Sequence, residues 1–135
     1  MPTFSAVTIP DGKSTPVTHT FATKQNDGRV TLWEDRASGV PIGYPVLRIS
    51  TSDSKTIRRV NMDLSIPTLE SVSGANPAGF TPAPRVAYVH RFKGEFLLPQ
   101  RGALAERADV LVMAKNILAN AIANAVVVNG EEFSG

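Results

Sequence analysis

Residues 57–66 read IRRVNMDLSI. In an extended chain Val60, Met62, Leu64 and Ile66 point one way, and Arg59, Asn61, Asp63 and Ser65 point the other. A period of two, apolar against polar, marks a strand with one dry face and one wet face. The pattern recurs on both sides. Residues 44–51 (YPVLRIST) alternate from Val46 onward. Residues 85–98 (RVAYVHRFKGEFLL) set Tyr88, His90, Phe92, Phe96 and Leu98 against Val89, Arg91, Lys93, Glu95 and Leu97. The turn Ser52-Asp53-Ser54-Lys55 joins the first two segments, and a Gly/Pro-rich loop over 67–84 precedes the third. Three such strands in succession are expected to form an antiparallel meander.

Upstream the same logic continues. Residues 3–9 (TFSAVTI) end at Pro10-Asp11-Gly12, a strong turn signal. Residues 16–24 and 29–35 read as strands on either side of Asn26-Asp27-Gly28, a hairpin signature. Residues 37–43 are irregular, since Pro41 blocks a ladder position between two glycines. Downstream the period changes. Pro99 ends the last strand, and residues 102–119 (GALAERADVLVMAKNILA) carry only Glu106, Arg107, Asp109 and Lys115 as charges. They predict a helix whose apolar stripe covers about two thirds of its circumference. Asn120 interrupts it, residues 121–128 predict a second short helix, and Asn129-Gly130 stops that one. The expected fold is α+β in one domain over residues 1–135. A β-hairpin and antiparallel sheet occupy 1–98, and two helices occupy 102–128.

Composition narrows the function. The chain has 135 residues, no cysteine and a formal net charge of +2. Disulfides, thiolate metal sites and cysteine nucleophiles are excluded. No apolar run reaches the roughly 18 residues of a membrane-spanning helix. Met1–Ser5 lacks the basic and apolar regions of a secretory signal. The mild charge does not announce a nucleic-acid binder, so any such surface must concentrate its cations on one face.

Two surfaces stand out. If the sheet takes one side of the first helix, the rest of the stripe is left in water, and a patch of that size marks a partner surface. The simplest partner is an identical chain about a twofold axis, through Leu104, Ala108, Leu111, Ala114, Ile117 and Leu118. The alternative is that residues 3–24 fold back over the helix. The wet face of the meander carries Arg48 and Ser50, then Arg59, Asn61, Asp63 and Ser65, then Arg91, Lys93 and Glu95. Such cations can meet phosphates, and Asn or Ser can bond unpaired base edges. The competing reading is a solvated face with ordinary cross-strand ion pairs.

In this order the segments LRIST, RRVNMDLSIP, YVHRFKGEFLLP and ERADVLVMAKNILANAIANAVVVNGEEF resemble the coat proteins of the single-stranded RNA bacteriophages, the levivirus type. The resemblance covers nearly the whole chain and is best from Tyr44 onward. It implies a homodimer with a continuous sheet whose helices clasp the partner's. It further implies assembly in the host bacterial cytoplasm into a quasi-equivalent icosahedral shell, of T=3 type, around genomic RNA. The nine wet-face residues would face that RNA, and an RNA hairpin bound there would repress translation. Well-studied members have a lysine near Asp63, so operator specificity here must differ. By the same resemblance Ser73, Gly74, Asn76, Pro77, Gly79 and Phe80 would lie in the segment that meets its copies around the symmetry axes.

Other functions fare worse. His19 and His90 show no metal-ligand spacing. The sequence sets no histidine to complete a nucleophilic triad with Ser50, Ser52 or Ser54, and the loop around Gly74–Gly79 lacks a phosphate-binding lysine. Glu131-Glu132 reads as a solvated tail or an interdimer contact rather than an acid/base pair, and Trp33 as packing. No cofactor, membrane or small-molecule substrate is expected. The leading reading is a capsid protein, with a small dimeric RNA-binding regulator as runner-up and an enzyme a distant third.

Overall fold

The computed structural model describes residues 3–70 and 85–133. Packing divides the chain into two compact units, Met1–Ser54 with Arg58–Leu97, and Lys55–Ile57 with Leu98–Gly135. The first is built on a six-stranded sheet in chain order: β1 (Val7–Pro10), β2 (Thr18–Asn26), β3 (Val30–Glu34), β4 (Val46–Asp53), β5 (Ile57–Leu69) and β6 (Val86–Pro99). Each consecutive pair from β1 to β5 is antiparallel. A single 3₁₀ turn at Pro41–Gly43 fills the irregular stretch before β4.

Side chains working on the backbone set the boundaries. Asp11 Oδ1 accepts from Val17 N at 3.0 Å and Lys13 N at 3.2 Å. Val17 N is therefore spent on the turn, and β2 starts at Thr18 rather than at Pro16. β1 is also shorter than expected, with Val7 opposite Phe21 as its first pair. In the β2–β3 turn Asn26 Oδ1 accepts from Gly28 N at 2.9 Å, and Gly28 takes φ +91°, where a side chain is strained. Asp27 Oδ1 accepts from Val30 N and Arg29 N. Those donors hold the Asp27 carboxyl below its ordinary range. A register irregularity between Thr23 and Gln25 lets the long β2 follow β3.

β5 departs most from expectation. It runs through Pro67 to Leu69, where the sequence suggests a loop. The register supplies the reason. Ser65 lies opposite Val46, the first residue of β4. Pro67 therefore sits past the end of β4, where its missing N–H costs no ladder bond on that side. Beyond it, Glu70 N donates to Arg85 O at 2.8 Å.

The core is small. Phe21 is 4% exposed and Trp33 9%, and they are the buried large apolar side chains among the described residues. Trp33 opposes Thr23, so the two rings share a sheet face. Trp33 Nε1 donates to Ser5 O at 2.9 Å, and the Phe4 ring meets its face edge-on at 5.9 Å. Trp33 is thus a packing residue, as the sequence suggests.

The second unit holds α1 (Leu104–Leu118) and α2 (Ala121–Val127), set at 56° to one another. Asn120 makes the break. Its Oδ1 caps α2 by accepting from Ile122 N at 3.0 Å. Glu131 N donates back to Ala125 O, and Gly130 takes φ +68° at the end of the unit, matching the predicted stop. No residue of either helix is buried. No single helix among the described residues is long and apolar enough to cross a membrane.

Truncating a buried ring removes its burial and leaves a cavity. Phe21→Ala should lower stability by about 3–5 kcal/mol in denaturant-induced unfolding, whereas Val17→Ala, at an exposed position, should stay within about 0.5 kcal/mol.

Candidate nucleic-acid interface

The register brings the predicted wet-face residues together. Arg48 lies opposite Asp63, Ser50 opposite Asn61, Ser52 opposite Arg59, and Val46 opposite Ser65. Contacts tie β6 to the same face. Arg91 Nε donates to Ser65 Oγ at 3.2 Å, and Arg59 Nε lies 3.9 Å from Glu95 Oε1. Lys93 shares an open hollow of about 350 Å³ with Arg48, Asn61, Met62, Asp63, Gly94 and Glu95. All nine predicted residues therefore lie on one side of three neighbouring strands.

The electrostatics are a mosaic. Arg48 Nη1 sits 3.9 Å from Asp63 Oδ2, and Arg59 faces Glu95. These two contacts are the ordinary cross-strand ion pairs of the competing reading. They are long and partly exposed, so each holds position more than it stabilises. Asp63 is turned toward Arg48, and its Oδ1 has no hydrogen-bond partner among the described residues. Arg91 and Lys93 have no carboxylate within ion-pair distance among the described residues. Both are exposed, and Arg91 keeps its bond to Ser65 Oγ. The strand sequences show the charges, but only the register shows which of them are already matched.

The predicted helix surface is exposed too. Leu104 is 76% exposed, and Leu111, Ile117 and Leu118 are more than half exposed. Ala108 is exposed and Ala114 half-buried. The apolar surface is wider than a stripe. Val110, Val112 and Met113 are also exposed, as are Ile122, Val126 and Val127 on α2 and Phe133 beyond it. The exposed residues of α2 and Phe133 fall outside the six positions expected for the partner surface; the run AVVV at 125–128 is the sequence signal for α2. Ser73, Gly74, Asn76, Pro77, Gly79 and Phe80 lie outside the described residues. His19 sits on the opposite sheet face from Arg48, between two carboxylates. No group of three or more His, Cys, Asp or Glu among the described residues is arranged to hold a metal ion.

Comparison with known proteins gives this arrangement a context. Residues 2–133 match the family described as levivirus coat protein. No curated protein sequence matches significantly. Among solved structures, the fold is similar to the virus-like particle of bacteriophage ESE058, with TM-score 0.91 and 29% identity, covering 98% of this chain and 100% of that one. It is similar to the virus-like particle of bacteriophage NT-214, with TM-score 0.84 and 26% identity over 96% and 98%. The bacteriophage GA protein capsid shares the fold at TM-score 0.69 and 19% identity, over 96% and 97%.

The Arg48–Asp63 opposition is testable in stability. Like charges directly opposite one another on a sheet are destabilising. Arg48→Glu should cost about 0.5–1 kcal/mol in thermal unfolding. The double reversal Arg48→Glu/Asp63→Arg should restore most of that stability.

Proposed function

The chain belongs to the levivirus coat protein family, and we propose that it works as a capsid subunit whose two units act as one coat-protein domain. Its role is structural, and its place is the virion. In this reading two copies interlock through α1 and α2, and such pairs close into a shell around single-stranded RNA in the host cytoplasm. The observation that carries the reading is burial. The composition is 42% apolar, yet the described core holds two large apolar side chains, while both helices and the outer part of β6 remain exposed. A chain of this length normally buries about two thirds of its surface on folding, so a second copy has to supply what one chain lacks. The virus-like particles formed by the similar bacteriophage ESE058 and NT-214 proteins support the same assembly here.

The RNA-facing role belongs to the mosaic face. Arg91 and Lys93 neutralise phosphates without first giving up a carboxylate, and Ser50 and Asn61 are placed to bond unpaired base edges. Repression of translation through a bound RNA hairpin is the finer part of the proposal and uses this same face. Electron microscopy of the protein purified without other phage components tests the whole reading. Closed particles containing RNA are expected, and a discrete soluble dimer without particles would contradict the capsid assignment.

Two variant sets separate the parts. Leu111→Asp or Ile117→Asp should abolish both particles and soluble dimer in size-exclusion chromatography, because a charge enters the apolar interface. Arg91→Ala with Lys93→Ala should leave the dimer intact and reduce RNA packaged per particle. The slope of log affinity for single-stranded RNA against log salt should fall by about 0.7 for each phosphate that is no longer neutralised.

A further inference from the structure

The ring of His19 bridges two carboxylates from different parts of the chain. Its Nδ1 lies 2.9 Å from Asp35 Oδ2, and its Nε2 lies 2.9 Å from Asp11 Oδ2. Asp11 belongs to the β1–β2 turn, where its other oxygen holds Val17 N and Lys13 N. Asp35 follows β3, is 5% exposed, and accepts from Ala37 N at 3.0 Å through Oδ1. A neutral imidazole has one N–H and one lone pair, and it can donate to only one carboxylate. Two carboxylate contacts at this distance require the cation.

We propose that Asp11, His19 and Asp35 form a charge-operated clasp that fastens the β1–β2 hairpin to the end of β3 while the imidazole is cationic and releases it when the ring loses a proton. Among the described residues the other charged group paired at the site is Lys13 Nζ, 3.5 Å from Asp11 Oδ2. The cross-strand neighbour of His19 on β1 is Ile9, which carries no charge. After deprotonation one carboxylate faces a lone pair, and Lys13 alone does not reach Asp35. The hydrogen bonds that His19 donates to Asp11 and then to Asp35 raise its pKa above the usual 6.5. The Asp11 carboxyl is held far below its ordinary range, first by Val17 N and then by His19. The sign follows. The His19 contribution is complete below the ordinary histidine value and is lost as pH rises through the raised one. Asp11 stays ionised throughout that range.

Release matters because the small core adjoins the clasp: Phe21 lies two residues after His19 on β2, and Trp33 two residues before Asp35. Val7 of β1 pairs with Phe21, and Trp33 is held by Ser5 O and Phe4. Unclasping therefore loosens the Asp11 turn and the end of β3 next to both rings, while the β1–β2 ladder still pairs Val7 through Pro10. The inference rests on these contacts alone and stands whether or not the RNA-facing role of the opposite face holds.

Trp33 is the single tryptophan, so its fluorescence reports the hairpin directly. The wild-type protein, titrated from pH 5 to 9, should show a one-proton transition with a midpoint above 6.5. His90→Gln should leave it unchanged, and His19→Gln should remove it. Asp11→Asn should move the midpoint down by removing one carboxylate. Asp11→Asn also serves if the His19 variant does not fold. A flat wild-type titration, a transition that survives His19→Gln, or a midpoint unmoved in Asp11→Asn would overturn the clasp.

Discussion

Apolar burial that one chain cannot complete by itself is the constraint from which the rest follows. The described residues bury Phe21 and Trp33, while the leucines, isoleucines and valines of two consecutive helices stay exposed. Exposed patches this large mark association surfaces, and a homodimer is the most economical way to cover them. Helix α1 has apolar residues on all sides rather than along one line, which suits a helix gripped from more than one direction. The Asn120 cap gives α2 its own start and sets the bend between the two helices. The apolar surface is therefore offered as two short facets rather than one straight rod.

In the proposed reading, committing the helices to association leaves the polar sheet face to do something else. On that face charge is partly matched internally. Arg48 with Asp63, and Arg59 with Glu95, pair charges across neighbouring strands. Arg91 and Lys93 carry the unmatched positive charge. In the proposed reading such a surface would bind polyanions without being strongly basic overall, consistent with a net charge of only +2. Doubling it by dimerisation would double the unmatched cations without adding a residue to the chain.

Much of this was legible in the residues, because strand alternation and helix period are local signals. The run of Val60, Met62, Leu64 and Ile66 against Arg59, Asn61, Asp63 and Ser65 placed β5 and its faces. The loss of that period after Pro99 placed α1 and α2. What was not legible depended on pairs far apart in sequence. That Arg48 opposes Asp63 requires the β4–β5 register, and that His19 reaches both Asp11 and Asp35 requires β1, β2 and β3 together. The β5 boundary was misjudged at Pro67 because proline reads as a strand breaker. Only the position of Val46, opposite Ser65, shows that the missing N–H faces no β4 partner there. The extent of the apolar helix surface was partly visible, but exposure at Ile122 and Phe133 depends on what one chain fails to bury.

Analytical ultracentrifugation of the wild-type protein across a dilution series tests the central claim most directly. The account predicts that the smallest folded species is a dimer, and that dilution below its dissociation range yields unfolded chain. A folded 14.4 kDa monomer that persists at low concentration with its helices intact would contradict it.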